Sequence, residues 1–125
     1  MEEITTDRAP PSIGPFSQAI RADGRIHVSG QGPVDPESGE VVSDDIEEQT
    51  ARTLENVGAI LEAGGTSLED VLKATVYVTD METYSAINGV YERYVSEPYP
   101  ARAAVEVSRL PIDIGVEIEV VARVG

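Results

Sequence analysis

From Val116 to the end the chain alternates: Val116, Ile118, Val120, Ala122 and Val124 are apolar, and Glu117, Glu119, Val121 and Arg123 stand between them. A period of two marks a β-strand with one buried face, because successive side chains point to opposite sides of the pleat. The stretch from Ala103 alternates in a similar way. A sheet built from such strands needs a layer over its apolar face. Its other, mostly polar face must meet water or partner subunits.

The covering layer is legible upstream. Ser43-Asp44-Asp45 supplies a capping side chain and acids at a helix start, and Ile46, Thr50, Leu54, Val57, Ile60 and Leu61 recur at helical spacing up to Gly64-Gly65. Asp80 is placed to cap a second helix, whose face carries Tyr84, Ile87, Tyr91, Tyr94 and Val95 and reads as core packing. Strands fill the remainder. Ala22-Asp23-Gly24-Arg25 predicts a tight turn between Ser17–Arg21 and Ile26–Ser29, since Asp-Gly accepts positive backbone angles. Gly32-Pro33, Asp35-Pro36 and Ser38-Gly39 predict a surface loop, and Val71–Thr79 is a strand that the first helix joins to the preceding one as a crossover. The expectation is a single α+β domain over residues 1–125, with one mixed sheet and two helices packed on one of its faces.

Composition narrows the chemistry. There is no apolar run of the ~20 residues that a membrane span needs, and Met1-Glu2-Glu3 is acidic where a secretory signal is basic, so a cytoplasmic protein without membrane contact is expected. Zero cysteines exclude disulfides and thiolate chemistry, and the one histidine, His27, cannot build a metal site or dyad with another. Metal-free chemistry without a cofactor is the expectation, with His27 in a structural role on a strand face. With 23 acids against 9 bases the formal charge is −14, which disfavours nucleic acid as a partner. Only Lys73 among the bases is a lysine. Acid-rich, lysine-poor surfaces suit proteins kept soluble in concentrated salt, so a halophilic source is expected beside the alternative of an ordinary acidic protein.

One cation stands apart. Arg102, in Tyr99-Pro100-Ala101-Arg102-Ala103-Ala104, is bordered by residues too small to hide it, and a guanidinium fixed on a strand can hold a carboxylate through two parallel hydrogen bonds. Glu117 is expected across a hairpin from it. The two then form either the core of an anion-binding site or an ordinary cross-strand ion pair.

The segment resembles the C-terminal signature of the RidA-type reactive intermediate (enamine/imine) deaminases: Pro100-Ala101-Arg102, Val105, Ser108, Leu110 and then Val116-Glu117-Ile118. Ile13-Gly14-Pro15-Phe16-Ser17-Gln18-Ala19 and Val28-Ser29-Gly30-Gln31-Gly32-Pro33 are similar to the family's opening blocks. Leu54-Glu55-Asn56-Val57, Val71–Val78 and Asn88-Gly89-Val90-Tyr91 follow in its order, so the likeness covers nearly the whole chain.

The resemblance implies a RidA-like, chorismate-mutase-like homotrimer with a central barrel and a site in each cleft between subunits. It implies hydrolysis of small 2-enamino and 2-imino acids, such as 2-aminoacrylate and 2-iminopropanoate, to 2-keto acids and ammonia. Arg102 would bind the substrate carboxylate and Glu117 would activate water, with Phe16, Ser29, Gly30, Asn88, Ala103 and Ala104 lining the pocket. Two positions depart from the family's habit. Phe16 stands where many relatives have tyrosine, and Ala104 where many have cysteine. A serine at a strand end and an asparagine on a helix more often serve local backbone than a ligand, which applies to Ser29 and Asn88, and Phe16 is equally well a staple for the N-terminal arm. A non-catalytic keto-acid sensor, a chaperone-like trimer and a mutase-type trimer remain the alternatives.

Overall fold

The alternating C-terminal segment forms a central strand. In the computed structural model, which describes residues 1–124, the elements run β1 (Glu2–Ile4), β2 (Ala19–Ala22), β3 (Arg25–Gln31), α1 (Ile46–Ala63), β4 (Val71–Val78), α2 (Tyr84–Tyr94), β5 (Ala101–Glu106) and β6 (Val116–Arg123). They form one six-stranded sheet in the order β1-β2-β3-β6-β4-β5. β6 pairs antiparallel with both β3 and β4, and β5 lies parallel to β4 at the edge.

Both helices cover the face that β6 makes apolar. Val116, Ile118, Val120 and Ala122 are buried there beside Ala74, Val76 and Val78 of β4, against Leu54, Val57, Ile60 and Leu61 of α1 and Ile87 and Tyr91 of α2. Each such aliphatic side chain contributes about 1.5–3 kcal/mol of burial. The mixed sheet with two helices on one face is the architecture expected from the sequence.

Local signals act where they were read. Asp23 and Gly24 both take positive φ, 54° and 74°, in the turn joining β2 to β3. Asp45 caps α1 by accepting the Glu48 amide at 2.9 Å, and α1 stops at Gly64, followed by Gly65 at φ 88°. Asp80 caps a short 3-10 turn, Met81–Thr83, that leads into α2.

Three features differ from the expectation. β1 pairs with β2 although Glu2-Glu3 gives no strand signal. The α1 crossover joins strands that are not neighbours, because β6 is inserted between β3 and β4. Most consequential, β5 and β6 do not form a hairpin: β4 separates them, and residues 107–115 step across its end.

α1 also carries buried polar side chains that fasten loops. Asn56 Nδ2 donates to the carbonyls of Gly32 (3.0 Å) and Val34 (2.9 Å), while Gln49 accepts the Gly115 amide at 2.9 Å and donates to the Ser43 carbonyl at 2.8 Å. These bonds hold the exit of β3 and the entry of β6 to one helix. Among the described residues, no helix is long and apolar enough to cross a membrane. Replacing the cap, Asp45→Ala, is expected to cost about 1 kcal/mol in urea unfolding at fixed chain concentration.

Candidate functional site

The separation of β5 from β6 decides how the site residues are arranged. Arg102 is level with Ala74 of β4, whose side chain is buried under the helices, so Arg102 projects on the helix-bearing face. Glu117 is level with Tyr77 and lies on the open face. The two are two strand spacings apart across the sheet and three residues apart along it, roughly 14 Å in all, and point to opposite sides. The cross-strand ion pair considered from the sequence therefore does not exist, and within one chain Arg102 and Glu117 belong to separate clefts.

The first cleft, about 270 Å³, is lined by Asn88, Tyr91, Glu92, Tyr99, Pro100 and Arg102. Arg102 Nη2 donates to the Tyr84 hydroxyl at 2.8 Å, and the guanidinium carbon lies 4.8 Å from the Tyr91 ring centroid and 5.5 Å from that of Tyr84. Among the described residues Arg102 has no carboxylate within ion-pair distance, although four other arginines do. The neighbouring Asn88 amide first, and then the Arg102 charge, hold the Tyr84 phenol below its ordinary pKa. Burial raises that of Tyr91, with Arg102 opposing the shift. The Asn88 Oδ1 and Tyr91 hydroxyl oxygens are buried without hydrogen-bond partners. Ala103 and Ala104 follow Arg102 on β5, which is paired only with β4, so the outer edge of that strand has unpaired backbone groups.

The second cleft, about 460 Å³, is mostly apolar, with Ile13, Phe16, Ile112 and Ile114 on its walls and Gly30 and Glu117 also lining it. Glu117 packs onto the backbone of Gly30 so closely that a Cβ built there would fall 2.8 Å from Glu117 Cδ. Gly30 lies where the β3–β6 register shifts, between Val28 and Gln31, an irregularity that re-aims the strand beside the cleft. Burial first, and the neighbouring Glu119 charge second, raise the Glu117 pKa above the usual carboxylate range. Glu119 in turn accepts the Tyr77 hydroxyl at 2.6 Å, and that bond is the main reason the Tyr77 phenol is raised.

Phe16 is half exposed at the rim of the second cleft. Ser29 is engaged locally: its Oγ donates to the Ser17 carbonyl at 2.6 Å and its amide to the Gln18 carbonyl at 2.9 Å. His27 is exposed on β3, level with Val121 of β6. The tyrosine stripe of α2 is only partly core. Tyr91 is buried in the core and also lies under Arg102, whereas Tyr84 is exposed and meets Arg102 alone. Ile87, Tyr91 and Val95 do join the core, as the spacing predicted, and Tyr84, Asn88 and Tyr91 (i, i+4, i+7) share the helix face that borders Arg102.

Residues 6–124 match the family model described as Endoribonuclease L-PSP. The chain belongs to this family. Among its relatives are a RutC family protein of Pyrococcus abyssi, 54% identical over 97% of this chain and 95% of that one, and the 2-iminobutanoate/2-iminopropanoate deaminase of Capra hircus, 44% identical over 98% and 89%. The fold is similar to the crystal structure of E. coli TdcF with bound serine, with a TM-score of 0.94, 39% identity and full coverage of both chains. The RidA-type resemblance read from the sequence is thus a family relation.

The raised Glu117 pKa carries a sign. Its ionised form is disfavoured in the folded chain, so the cost is absent below the unfolded-state pKa and fully present above the folded one. Carbon-13 carboxyl NMR is expected to show Glu117 titrating above the other glutamates. Glu119→Gln should lower that midpoint by removing the adjacent charge, and Glu117→Gln should stabilise the fold at pH 7 but not at pH 3.

Proposed function

We propose that this protein hydrolyses small 2-imino acids, and their 2-enamino tautomers, to 2-keto acids and ammonia, using a site completed between copies of the chain. The observation that carries the reading is Arg102: in a chain with 23 acids it has a neutral phenol as its polar partner and no carboxylate. A guanidinium left unneutralised on an open edge is reserved for an anion from outside, and its planar fork suits a carboxylate. The deaminase named among the relatives and the serine bound to TdcF are consistent with a substrate bearing an amino-acid-like carboxylate.

Chemistry needs a second group. A protonated imine is electrophilic at C2, so the protein need only orient it, hold its charge and remove a proton from water. Glu117, with its raised proton affinity, is suited to accept that proton. Water adds to C2 as Glu117 takes its proton, the aminol nitrogen takes that proton back, and the C–N bond breaks, releasing ammonia, which carries off the hydroxyl proton as ammonium and leaves the keto acid. A sensor would need the arginine but not a carboxylate poised in this way, which favours the catalyst.

Arg102 and Glu117 cannot meet on one substrate within a single chain, because they occupy opposite faces of the sheet. A neighbouring copy that brings its Glu117 cleft to the Arg102 edge would resolve this, and the homotrimer implied by the family supplies such a neighbour. Exposed apolar residues fit the same account: Ile13 (90% exposed), Phe16 (51%) and Ile112 (47%) beside one cleft, and Tyr99 (55%) beside the other. A ribonuclease reading of the family description is disfavoured, because a chain of charge −14 repels a phosphate backbone.

The reading is tested by generating 2-iminopropanoate in situ with an amino-acid oxidase and timing keto-acid release. Arg102→Ala is expected to lower kcat/KM by roughly thirtyfold or more, the worth of a charged hydrogen bond. Glu117→Gln should still bind pyruvate yet lose turnover, and the wild-type acid limb of kcat/KM should lie above the ordinary carboxylate range. If Arg102→Ala keeps most of the rate, the anchor is wrong. Three chains at −14 each gather about −42, so light scattering in a salt series should show the assembly, and activity with it, loosening at low salt. A fully active monomer would contradict the shared site.

A further inference from the structure

We propose that Tyr84 is a positioning residue for Arg102: its phenol oxygen fixes the guanidinium, laid over the Tyr91 ring, in the orientation that receives the substrate carboxylate. The inference rests on the reading of Arg102 as the carboxylate anchor. An arginine beside alanines on an edge strand has nothing on its own strand to hold it. A free guanidinium must then surrender its rotamer freedom each time a ligand binds.

In this fold the work of ordering is done by α2. Tyr84 accepts one N–H from Arg102 Nη2 at 2.8 Å, and the Tyr91 ring, two helical turns on, supports the flat face of the guanidinium at 4.8 Å. One N–H is spent and four remain in a fixed plane. A carboxylate in Tyr84's place would occupy the same fork as the substrate and cancel the charge that attracts it. A phenol orients the group without neutralising it.

The placement of Tyr84 is itself secured. It opens α2 directly after the 3-10 turn, whose first amide, Met81 N, donates to Glu106 Oε1 at 2.7 Å. Glu106 ends β5, the strand that carries Arg102. The same turn is closed by the Glu82 amide donating to Asp80 Oδ1 at 2.9 Å and by Thr83 Oγ1 donating to the Asp80 carbonyl at 2.7 Å. The start of α2 and the β5 edge are therefore tied together twice, once at Glu106 and once at Arg102.

The test uses the full-length protein and the variant Tyr84→Phe, which keeps the ring and removes only the oxygen. Pyruvate binding by calorimetry and steady-state imine hydrolysis are measured together with thermal unfolding. The expected result is a rise of about fivefold in both the pyruvate Kd and KM, the worth of one ordinary hydrogen bond, with kcat within twofold and the unfolding temperature unchanged. In an Arg102→Met background, which removes the donor, the same substitution should have no further effect on residual pyruvate binding, because its target is gone. An equal penalty in both backgrounds, an unchanged Kd, or a fall in kcat alone would overturn the proposal. Arg102→Ala separates the two levels of the argument. Undiminished pyruvate binding in that variant refutes the anchor itself, whereas loss of binding there with none in Tyr84→Phe refutes the role of Tyr84 alone.

Discussion

β6 is the constraint on which the rest of the structure depends. Its backbone is hydrogen-bonded on both edges, to β3 and to β4, so it must occupy the middle of the sheet. Its alternation then assigns the two faces: Val116, Ile118, Val120 and Ala122 need helices above them, and Glu117 and Glu119 are left on the side that the helices do not cover. Inserting β6 between β3 and β4 also sends β5 to the far edge, where it pairs only with β4. The positions of both candidate functional groups follow from that single placement.

The fold divides the two candidate groups between two faces of one chain. A guanidinium and a carboxylate within reach of each other in one chain would pair, each satisfying the other and neither available to a ligand. Here the fold holds them apart. Arg102 rests on neutral aromatic groups, and Glu117 sits against the backbone of Gly30 with another carboxylate, Glu119, as its charged neighbour. Within one chain the first is a cation with no ion pair among the described residues, and the second a carboxylate whose proton affinity burial raises. Buried polar residues of α1 support the second of these. Asn56 and Gln49 pin the segments at either end of the Gly30–Glu117 contact, and their hydrogen bonds would be lost to any shift of the helix.

Much of this was legible in the sequence because it is local. The Asp23-Gly24 turn, the Asp45 cap, the Gly64-Gly65 stop and the period of β6 each state their structure within a few residues. Strand order is not local. A proline-containing connection between two alternating segments reads as a hairpin, and only the pairing of β6 with β3 and β4 shows that residues 107–115 cross over the end of β4. Arg102 and Glu117 were recognisable as residue types in a pattern, but their assignment to opposite faces required the register. The aromatic platform was read as core because Tyr84 and Tyr91 fall on one helix face. Helical spacing marks which residues share a face and does not say whether that face meets an aliphatic layer or a guanidinium. β1 carried no signal, since two of its three residues are glutamates and its strand character comes from pairing with β2.

Net charge and local charge point in opposite directions, and the fold reconciles them. A chain at −14 repels an anionic substrate at long range, yet binding needs a positive site. Screening in salt shortens the repulsion to within a few ångströms of each acid, whereas a hydrogen-bonded contact at a guanidinium is far less affected. On the proposed reading, Arg102 must stay unpaired by the chain's own carboxylates, and although Glu92 lines the same cleft it forms no ion pair with Arg102. Glu106, the charged residue sharing its strand, is instead committed to the Met81 amide at the start of α2. An acidic surface and a free guanidinium coexist here because the acid nearest along β5 has backbone to satisfy and the arginine rests on aromatic rings and a phenol oxygen.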